Sequence, residues 1–67
     1  MIITLNGETR EFKTPLTVAE LLKELDLDAR LVVVEKNMQI VEPGDMANTQ
    51  VDQGDSIEIL TMVGGGS

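Results

Sequence analysis

Residues 17–26 read TVAELLKELD, and this stretch decides the fold because it carries the clearest helical pattern in the chain. Thr17 and Glu20 have the spacing of a capping box, in which each side chain accepts a hydrogen bond from the other residue's backbone amide. Four apolar side chains follow at i, i+3, i+4 and i+7 and form one stripe: Val18, Leu21, Leu22 and Leu25. The pattern predicts one amphipathic helix of about ten residues with its charged side chains in water.

The residues before this helix predict a β-hairpin. Residues 1–5, MIITL, alternate with the period of two that is typical of a strand covered on one face. Asn6 and Gly7 form a strong two-residue turn signal, since both tolerate positive φ. Residues 8–13, ETREFK, would return as the second strand. Pro15 then ends the pairing, because proline has no backbone N–H to donate.

The residues after the helix predict shorter elements and a final strand. RLVVVEKN (30–37) is typical of a strand covered on at least one side, and QIV (39–41) indicates a short further strand. EPGD (42–45) and DQGD (52–55) are turn signatures. MANTQV (46–51) is ambiguous between a short helical turn and a strand end. SIEILTMV (56–63) predicts the closing strand.

This order of elements predicts an α+β fold with a small mixed sheet. One helix can cover one face of the sheet, and nothing remains to cover the other. A right-handed crossover through the helix would make the next strand the parallel partner or near neighbour of the second strand. The description matches a β-grasp, the ubiquitin-like architecture, as one domain over residues 1–63 with a flexible glycine tail over 64–67.

Composition and charge exclude several classes of function. The 67 residues include no cysteine and no histidine, and Phe12 is the one aromatic residue. The net charge of −7 argues against nucleic-acid binding, which needs basic patches and stacking aromatics. The charge favours solubility and would attract a basic protein partner. The N-terminus does not resemble a signal peptide and no membrane span is indicated, so we predict a cytoplasmic protein that is a monomer when free.

The chain has little with which to perform catalysis of its own. Cysteine, histidine and tyrosine are all absent, and the acidic residues are not paired at a recognisable spacing. Asp45, Asn48 and Asp52 lack the spacing of a calcium loop. Glycines 64–66 are not followed by the Lys-Ser/Thr pair that a phosphate-binding loop requires. We therefore predict no enzymatic activity, no metal site and no cofactor.

The glycine-rich ending offers one reactive group, the terminal carboxylate. To be activated, such a group must reach the α-phosphate of ATP inside another protein's cleft. A narrow channel excludes side chains, so glycine is the residue type that such a tail requires. Three extended residues, 64–66, would project about 10 Å beyond the sheet.

Several stretches together carry a resemblance that covers the whole chain: LNG (5–7), TVAELLKEL (17–25), VVVEKNMQIV (32–41), DQGDSIEIL (52–60) and the terminal glycines. With its length and element order, the chain resembles the ThiS-like sulfur carriers of thiamine biosynthesis. The resemblance implies a carrier whose terminal glycine is adenylated by an E1-like, ThiF-like enzyme that consumes ATP. A sulfur donor then makes a thiocarboxylate, and a ThiG-like thiazole synthase accepts the sulfur.

Carried over residue by residue, the resemblance places the reactive carbonyl on Gly66, with Gly64 and Gly65 as the segment that threads the cleft. Ser67 departs from the family pattern, whose functional terminus is glycine. A protease would have to remove Ser67, or Ser67 is foreign to the natural chain. GGGS is also a common engineered linker, and that alternative stays open.

The last strand suggests a docking surface for the partners. If Ile57 and Ile59 face the helix, alternation turns Leu60 and Met62 outward. We predict that Leu60, Met62 and Val63 bind partners, although such residues are also found as scattered surface hydrophobes. Two alternative functions remain open: sulfur carriage for another product, such as molybdopterin or cysteine, and a ubiquitin-like binding module whose tail never reacts.

Overall fold

The computed structural model describes residues 1–13 and 15–62. Its regular elements, in chain order, are β1 (Ile2–Leu5), β2 (Glu8–Glu11), β3 (Leu16–Thr17), α1 (Val18–Glu24), β4 (Val32–Lys36), β5 (Gln39–Val41), β6 (Gln50–Val51) and β7 (Ser56–Thr61). Two 3₁₀ turns, Ala29–Leu31 and Pro43–Asn48, lie between them.

Helix α1 begins at the predicted capping box. The Glu20 amide donates to Thr17 Oγ1 at 3.1 Å, and the Thr17 amide donates to Glu20 Oε1 at 2.8 Å. The helix has seven residues rather than about ten, because Leu25 leaves helical geometry and Asp26 takes a positive φ of 59°. Val18, Leu21 and Leu22 are buried as predicted, whereas Leu25, at the helix end, is only partly buried.

The N-terminal hairpin forms as the sequence predicts. Strands β1 and β2 pair antiparallel, with Leu5 opposite Glu8. Asn6 and Gly7 supply the turn with φ values of 49° and 82°, the left-handed region that this type of two-residue turn needs. Ile3 and Leu5 point into the core.

The main sheet has five strands in the order β2-β1-β7-β4-β5. The prediction that the strand after the helix lies beside the second strand is wrong, because β1 and β7 separate β4 from β2. The parallel pair is instead β1 with β7. The closing strand takes the central position, and its Ile57 and Ile59 side chains are buried there. One helix beside this mixed sheet is the β-grasp arrangement predicted from the order of elements.

A second sheet of two short strands is absent from the sequence prediction. Strand β3 pairs antiparallel with β6, with Leu16 opposite Val51. The sequence of residues 46–51 was compatible with either a short helical turn or a strand end. The structure contains both, because the 3₁₀ turn Pro43–Asn48 ends within this stretch and β6 (Gln50–Val51) follows it. Two-residue strands are too short to show a period, so only the tertiary fold reveals them.

The core lies between α1 and the inner face of the main sheet. Its buried apolar residues are Ile3, Leu5, Val18, Leu21, Leu22, Val32, Val34, Val41, Met46, Val51, Ile57 and Ile59. Ile57 and Ile59 face inward, which confirms the orientation predicted for the last strand. Across residues 1–13 and 15–62, α1 included, no helix has the length and apolar character that crossing a membrane requires.

Candidate docking surface at the end of the last strand

Strand β7 leads to the glycine segment and is held on both sides. Strand β4 pairs with it antiparallel over five residue pairs, from Val32 opposite Thr61 to Lys36 opposite Ile57. Strand β1 pairs with it in parallel for only two residues, Thr4 and Leu5. The second half of β7 would therefore lose its partner on one side where the first hairpin turns away.

The Asn6 side chain fills that gap. The Asn6 backbone amide donates to the Ile57 carbonyl at 2.8 Å. Farther along, Asn6 Oδ1 accepts from the Ile59 amide at 2.7 Å and Asn6 Nδ2 donates to the Ile59 carbonyl at 3.2 Å. The side-chain amide thus continues the ladder as another strand residue would. Sequence reasoning assigned Asn6 only to the turn, because nothing in the sequence shows that β7 lies beside it.

Asn37 plays a similar part at the start of β7. Its backbone amide donates to the Ser56 carbonyl at 2.8 Å, and its Oδ1 accepts from the Ser56 amide at 2.9 Å. Asn37 Nδ2 donates to Asp55 Oδ1 at 3.0 Å. The φ of Asn37 is 51°, in the left-handed region that asparagine tolerates in turns, so this residue both forms the turn after β4 and bonds to β7.

Asp55 is the one buried charged residue in the described part of the chain. Burial alone would raise the pKa of its carboxyl, but the hydrogen bonds from the Asp52 amide and Asn37 Nδ2 and the charge of Lys36 together lower that pKa below its usual value. Lys36 Nζ lies 3.4 Å from Asp55 Oδ2. The ionised carboxylate therefore stabilises the turn that enters β7.

At the other end of β7, two large apolar side chains face solvent as predicted. Leu60 is 55% exposed and Met62 is 58% exposed. The Met62 amide, one residue after the end of β7, donates to the Leu31 carbonyl at 2.7 Å. The exposed fractions confirm the outward orientation of both side chains, while their role in binding a partner stays a prediction.

A largely apolar groove of ≈ 590 Å³ lies at this end of β7, with Met62 in its lining. It is also lined by the charged residues Arg30 and Glu42, and its apolar lining residues are Ala29, Val32, Val33, Ile40, Val41, Pro43, Met46 and Met62. Val33 lies directly opposite Leu60 in the sheet, and Ile40 is 61% exposed on the neighbouring strand. Sequence reasoning missed Val33 and Ile40; the outward position of Val33 in the β4 alternation was the available signal.

The remaining predicted site residues lie outside the described residues. They are Val63 and the tail segment Gly64, Gly65, Gly66 and Ser67. The structure therefore brings together Leu60, Met62 and the groove, and the roles assigned to the tail stay predictions. Among residues 1–13 and 15–62, no group of three or more acidic side chains is placed to hold a metal ion.

Comparisons with known proteins agree on one family. The ThiS family model matches residues 3–66. The chain is 32% identical over 66 residues to the sulfur carrier protein ThiS of Bacillus subtilis, covering 97% of this chain and all of that protein. It is also 45% identical over its whole length to a thiazole synthase of Paramagnetospirillum magneticum, of whose length it spans only 21%.

A solved structure supports the same assignment at the level of the fold. The crystal structure of the thiamine biosynthesis protein ThiS from Geobacter metallireducens superposes with a TM-score of 0.85 and 36% sequence identity, covering 98% of this chain and all of that one. The likeness extends over both sheets and the helix, and the family model covers the glycine segment as well. This chain therefore belongs to the ThiS family of sulfur carrier proteins.

Proposed function

We propose that this chain carries sulfur for the thiazole ring of thiamine as a thiocarboxylate on Gly66. An E1-like, ThiF-like enzyme activates the terminal carboxylate, and a ThiG-like thiazole synthase accepts the sulfur. The chain itself acts as a carrier, and the catalytic groups belong to its partners. The observation that carries the proposal is the match of the ThiS family model through Gly66, which includes all three glycines of the tail.

The comparisons favour thiamine over other destinations of sulfur. The similar proteins include a ThiS carrier, a thiamine biosynthesis protein and a thiazole synthase. The last of these contains a stretch similar to the whole of this chain, which supports thiazole synthase as the acceptor. The molybdopterin and cysteine alternatives have no such support here.

Hydrolysis of the Gly66–Ser67 peptide bond first frees the Gly66 carboxylate, and the chemistry then proceeds in two balanced steps. A carboxylate oxygen of Gly66 attacks the α-phosphate of ATP, pyrophosphate leaves, and an acyl-adenylate forms. A hydrosulfide ion from the sulfur donor then attacks the Gly66 carbonyl carbon to form a C–S bond, the C–O bond to the adenylate breaks, AMP leaves, and the S–H proton passes to solvent. The product is a thiocarboxylate, and no oxidation or reduction of the carrier's carbon is needed.

The geometry of β7 supports the delivery of such a tail. Two asparagine side chains, Asn6 and Asn37, supplement the backbone pairing along this strand. The Met62–Leu31 hydrogen bond anchors the last described residue to the body of the domain. Holding the end of β7 in this way would limit the orientations from which the tail can enter a cleft, so less entropy would be lost on binding.

The function is tested by incubating the protein with ATP, a sulfide source and the adenylating enzyme of its source organism. We expect intact-mass spectrometry to show the gain that accompanies replacement of one terminal oxygen by sulfur. A chain ending at Gly66 should form this product at least as fast as the chain ending at Ser67, since the free carboxylate is already in place. If neither chain is modified by an enzyme that is active on its own carrier, the binding-module alternative is favoured.

Docking through Leu60 and Met62 is tested with aspartate substitutions. Leu60→Asp/Met62→Asp should weaken binding to the adenylating enzyme about tenfold or more, because two charges would have to leave water at an apolar contact. Both side chains are more than half exposed, so the fold should persist. Binding is measured by titration calorimetry, and folding by circular dichroism.

Met38→Asp is the matched control for Met62→Asp. Met38 is 89% exposed at the tip of the β4–β5 hairpin, away from the end of β7. The same chemical change is made there, and aspartate tolerates the positive φ of that position. Equal losses of affinity for the two single variants would show that Met62 has no special place in the interface.

A further inference from the structure

The turn of the first hairpin holds a chemically reactive pair of residues, Asn6 and Gly7. The backbone nitrogen of the residue that follows an asparagine can attack the asparagine Cγ and close a five-membered imide ring, with loss of ammonia. A side chain on that following residue crowds the attack, and glycine has none. The chain has asparagines at positions 6, 37 and 48, which are followed by glycine, methionine and threonine in turn. Asn6 is therefore the asparagine that its neighbour leaves most open to this reaction.

In the folded protein, β7 holds the Asn6 side chain. Asn6 Oδ1 accepts from the Ile59 amide at 2.7 Å, and Asn6 Nδ2 donates to the Ile59 carbonyl at 3.2 Å. The Asn6 backbone amide adds a third bond, to the Ile57 carbonyl at 2.8 Å. Asn6 is exposed, so water reaches it, and what restrains its side chain is hydrogen bonding.

Ring closure and the two bonds to Ile59 compete for the same side chain. The Gly7 nitrogen forms a bond to Asn6 Cγ, the Cγ–Nδ2 bond breaks, and Nδ2 leaves as ammonia with the proton that the Gly7 nitrogen gives up. A water molecule then opens the ring at either carbonyl and leaves aspartate or isoaspartate, with no oxidation or reduction. Because Nδ2 leaves and Cγ must approach Gly7, the Asn6 side chain has to come away from Ile59 first.

We propose that Asn6 is a site of spontaneous deamidation that the native fold suppresses by bonding the side chain to Ile59. The modification takes place when the end of β7 and the first hairpin separate locally, as protein segments do without unfolding of the whole chain. Water is the co-reactant. The inference goes beyond the proposed function and is independent of it, because it concerns the body of the domain and makes no use of the glycine tail.

The product no longer fits the place that asparagine occupied. Aspartate at position 6 keeps the turn, since Asp-Gly is as typical of this turn as Asn-Gly. An ionised carboxylate accepts hydrogen bonds and donates none, so the Ile59 carbonyl loses its donor and faces a second acceptor. Isoaspartate carries an extra methylene in the backbone, which changes the spacing across the hairpin. Either product prevents the full set of native bonds from forming again, so deamidation permanently weakens the hold on the second half of β7.

Peptide mapping by mass spectrometry tests where and when the chain reacts. The wild type is incubated at mildly alkaline pH in native buffer and in urea, and the conversion of the amide NH₂ to OH is followed at each asparagine. In urea, Asn6 should react well before Asn37 and Asn48. In native buffer, the rate at Asn6 should be at least about tenfold lower than in urea, since two hydrogen bonds must break first. Equal rates in the two solutions, or earlier reaction at another asparagine in urea, would overturn the proposal.

Thr49→Gly supplies a matched Asn-Gly pair in the same folded protein. The asparagine side-chain bonds within residues 1–13 and 15–62 come from Asn6 and Asn37, whereas Asn48 is exposed and its side chain forms none there. In the folded Thr49→Gly variant, Asn48 should therefore deamidate about tenfold faster than Asn6 in the same molecule. Circular dichroism checks that the variant is folded. Deamidation of Asn6 at the rate of Asn48 would show that the bonds to Ile59 do not protect it.

Asn6→Asp reports the consequence directly, because it is the aspartate product in pure form. It should melt about 5 °C below the wild type, the shift that the loss of one hydrogen bond of average strength produces in a domain of this size. Asn48→Asp makes the same chemical change at an exposed residue away from β7 and should melt within about 2 °C of the wild type. Equal melting temperatures for Asn6→Asp and the wild type would overturn the claim that deamidation weakens the hold on β7.

Discussion

Replacing Gly65 with valine should reduce thiocarboxylate formation about 100-fold, the order of loss expected when a reacting group is displaced by about 1 Å. Activation requires the Gly66 carbonyl to reach ATP through a cleft that we propose is too narrow for a side chain. Alanine at the same position should cost about tenfold, equivalent to roughly 1.4 kcal/mol in the barrier. All variants are made in the chain ending at Gly66, so that the carboxylate is free, and the rate is followed by intact-mass spectrometry with ATP, a sulfide source and the adenylating enzyme.

Gly44 provides the matched control for this prediction. A Cβ added there meets no atom within 4 Å, and its φ is not in the left-handed region. Gly44→Ala and Gly44→Val should therefore leave the rate unchanged. All buried core residues of the described part lie between Ile3 and Ile59, before the tail. A substitution at Gly65 should therefore leave the core unchanged, and we expect the Gly65 variants to have the melting temperature of the wild type. Wild-type rates in the Gly65 variants would remove the steric explanation of the tail.

Leu22→Ala should lower the free energy of unfolding by about 2–5 kcal/mol. Leu22 is only 2% exposed and lies on the stripe that joins α1 to the sheet, so its loss leaves a cavity as well as removing buried apolar area. Native domains are stable by only about 5–15 kcal/mol, so this one side chain matters greatly. Urea denaturation followed by circular dichroism measures the change.

Leu31→Ala makes the same chemical deletion at an exposed site. Leu31 is 48% exposed, so its loss should cost well under half as much as the loss of Leu22. The anchoring bond to Met62 comes from the Leu31 backbone carbonyl, which the substitution retains. Similar losses for the two variants would show that the helix stripe does not dominate the core.

Sequence reasoning was most successful where a signal was local. The capping box at Thr17 and the turn at Asn6-Gly7 each lie within a few residues, and the structure confirms both. The alternation of SIEIL also predicted correctly that Ile57 is buried and that Leu60 is exposed. Such patterns follow from helix and strand geometry, which each short segment adopts with the same periods in any fold.

The predictions that were wrong or missing concern contacts between segments that are far apart in the sequence. The predicted position of β4 was wrong because the crossover rule gives only the handedness of the connection between two strands. It does not say whether other strands will lie between those two in the sheet, as β1 and β7 do here. The pairing of β3 with β6 was missed because two residues show no period. The bonds from Asn6 to Ile59 join residues 53 positions apart.

By itself, the sequence determined the helix and its apolar stripe, the first hairpin, the two faces of the last strand and the resemblance to the ThiS family, because periodicity, capping and turn chemistry are local properties. Only the tertiary structure decided that β7 lies between β1 and β4 and that Asn6 and Asn37 supplement its pairing. The same packing set Val33 opposite Leu60 and Ile40 opposite Glu35. Which residues become neighbours depends on which strands pair and in what register. The pairing and register follow from the free energy of the whole fold, so they cannot be read from any single segment.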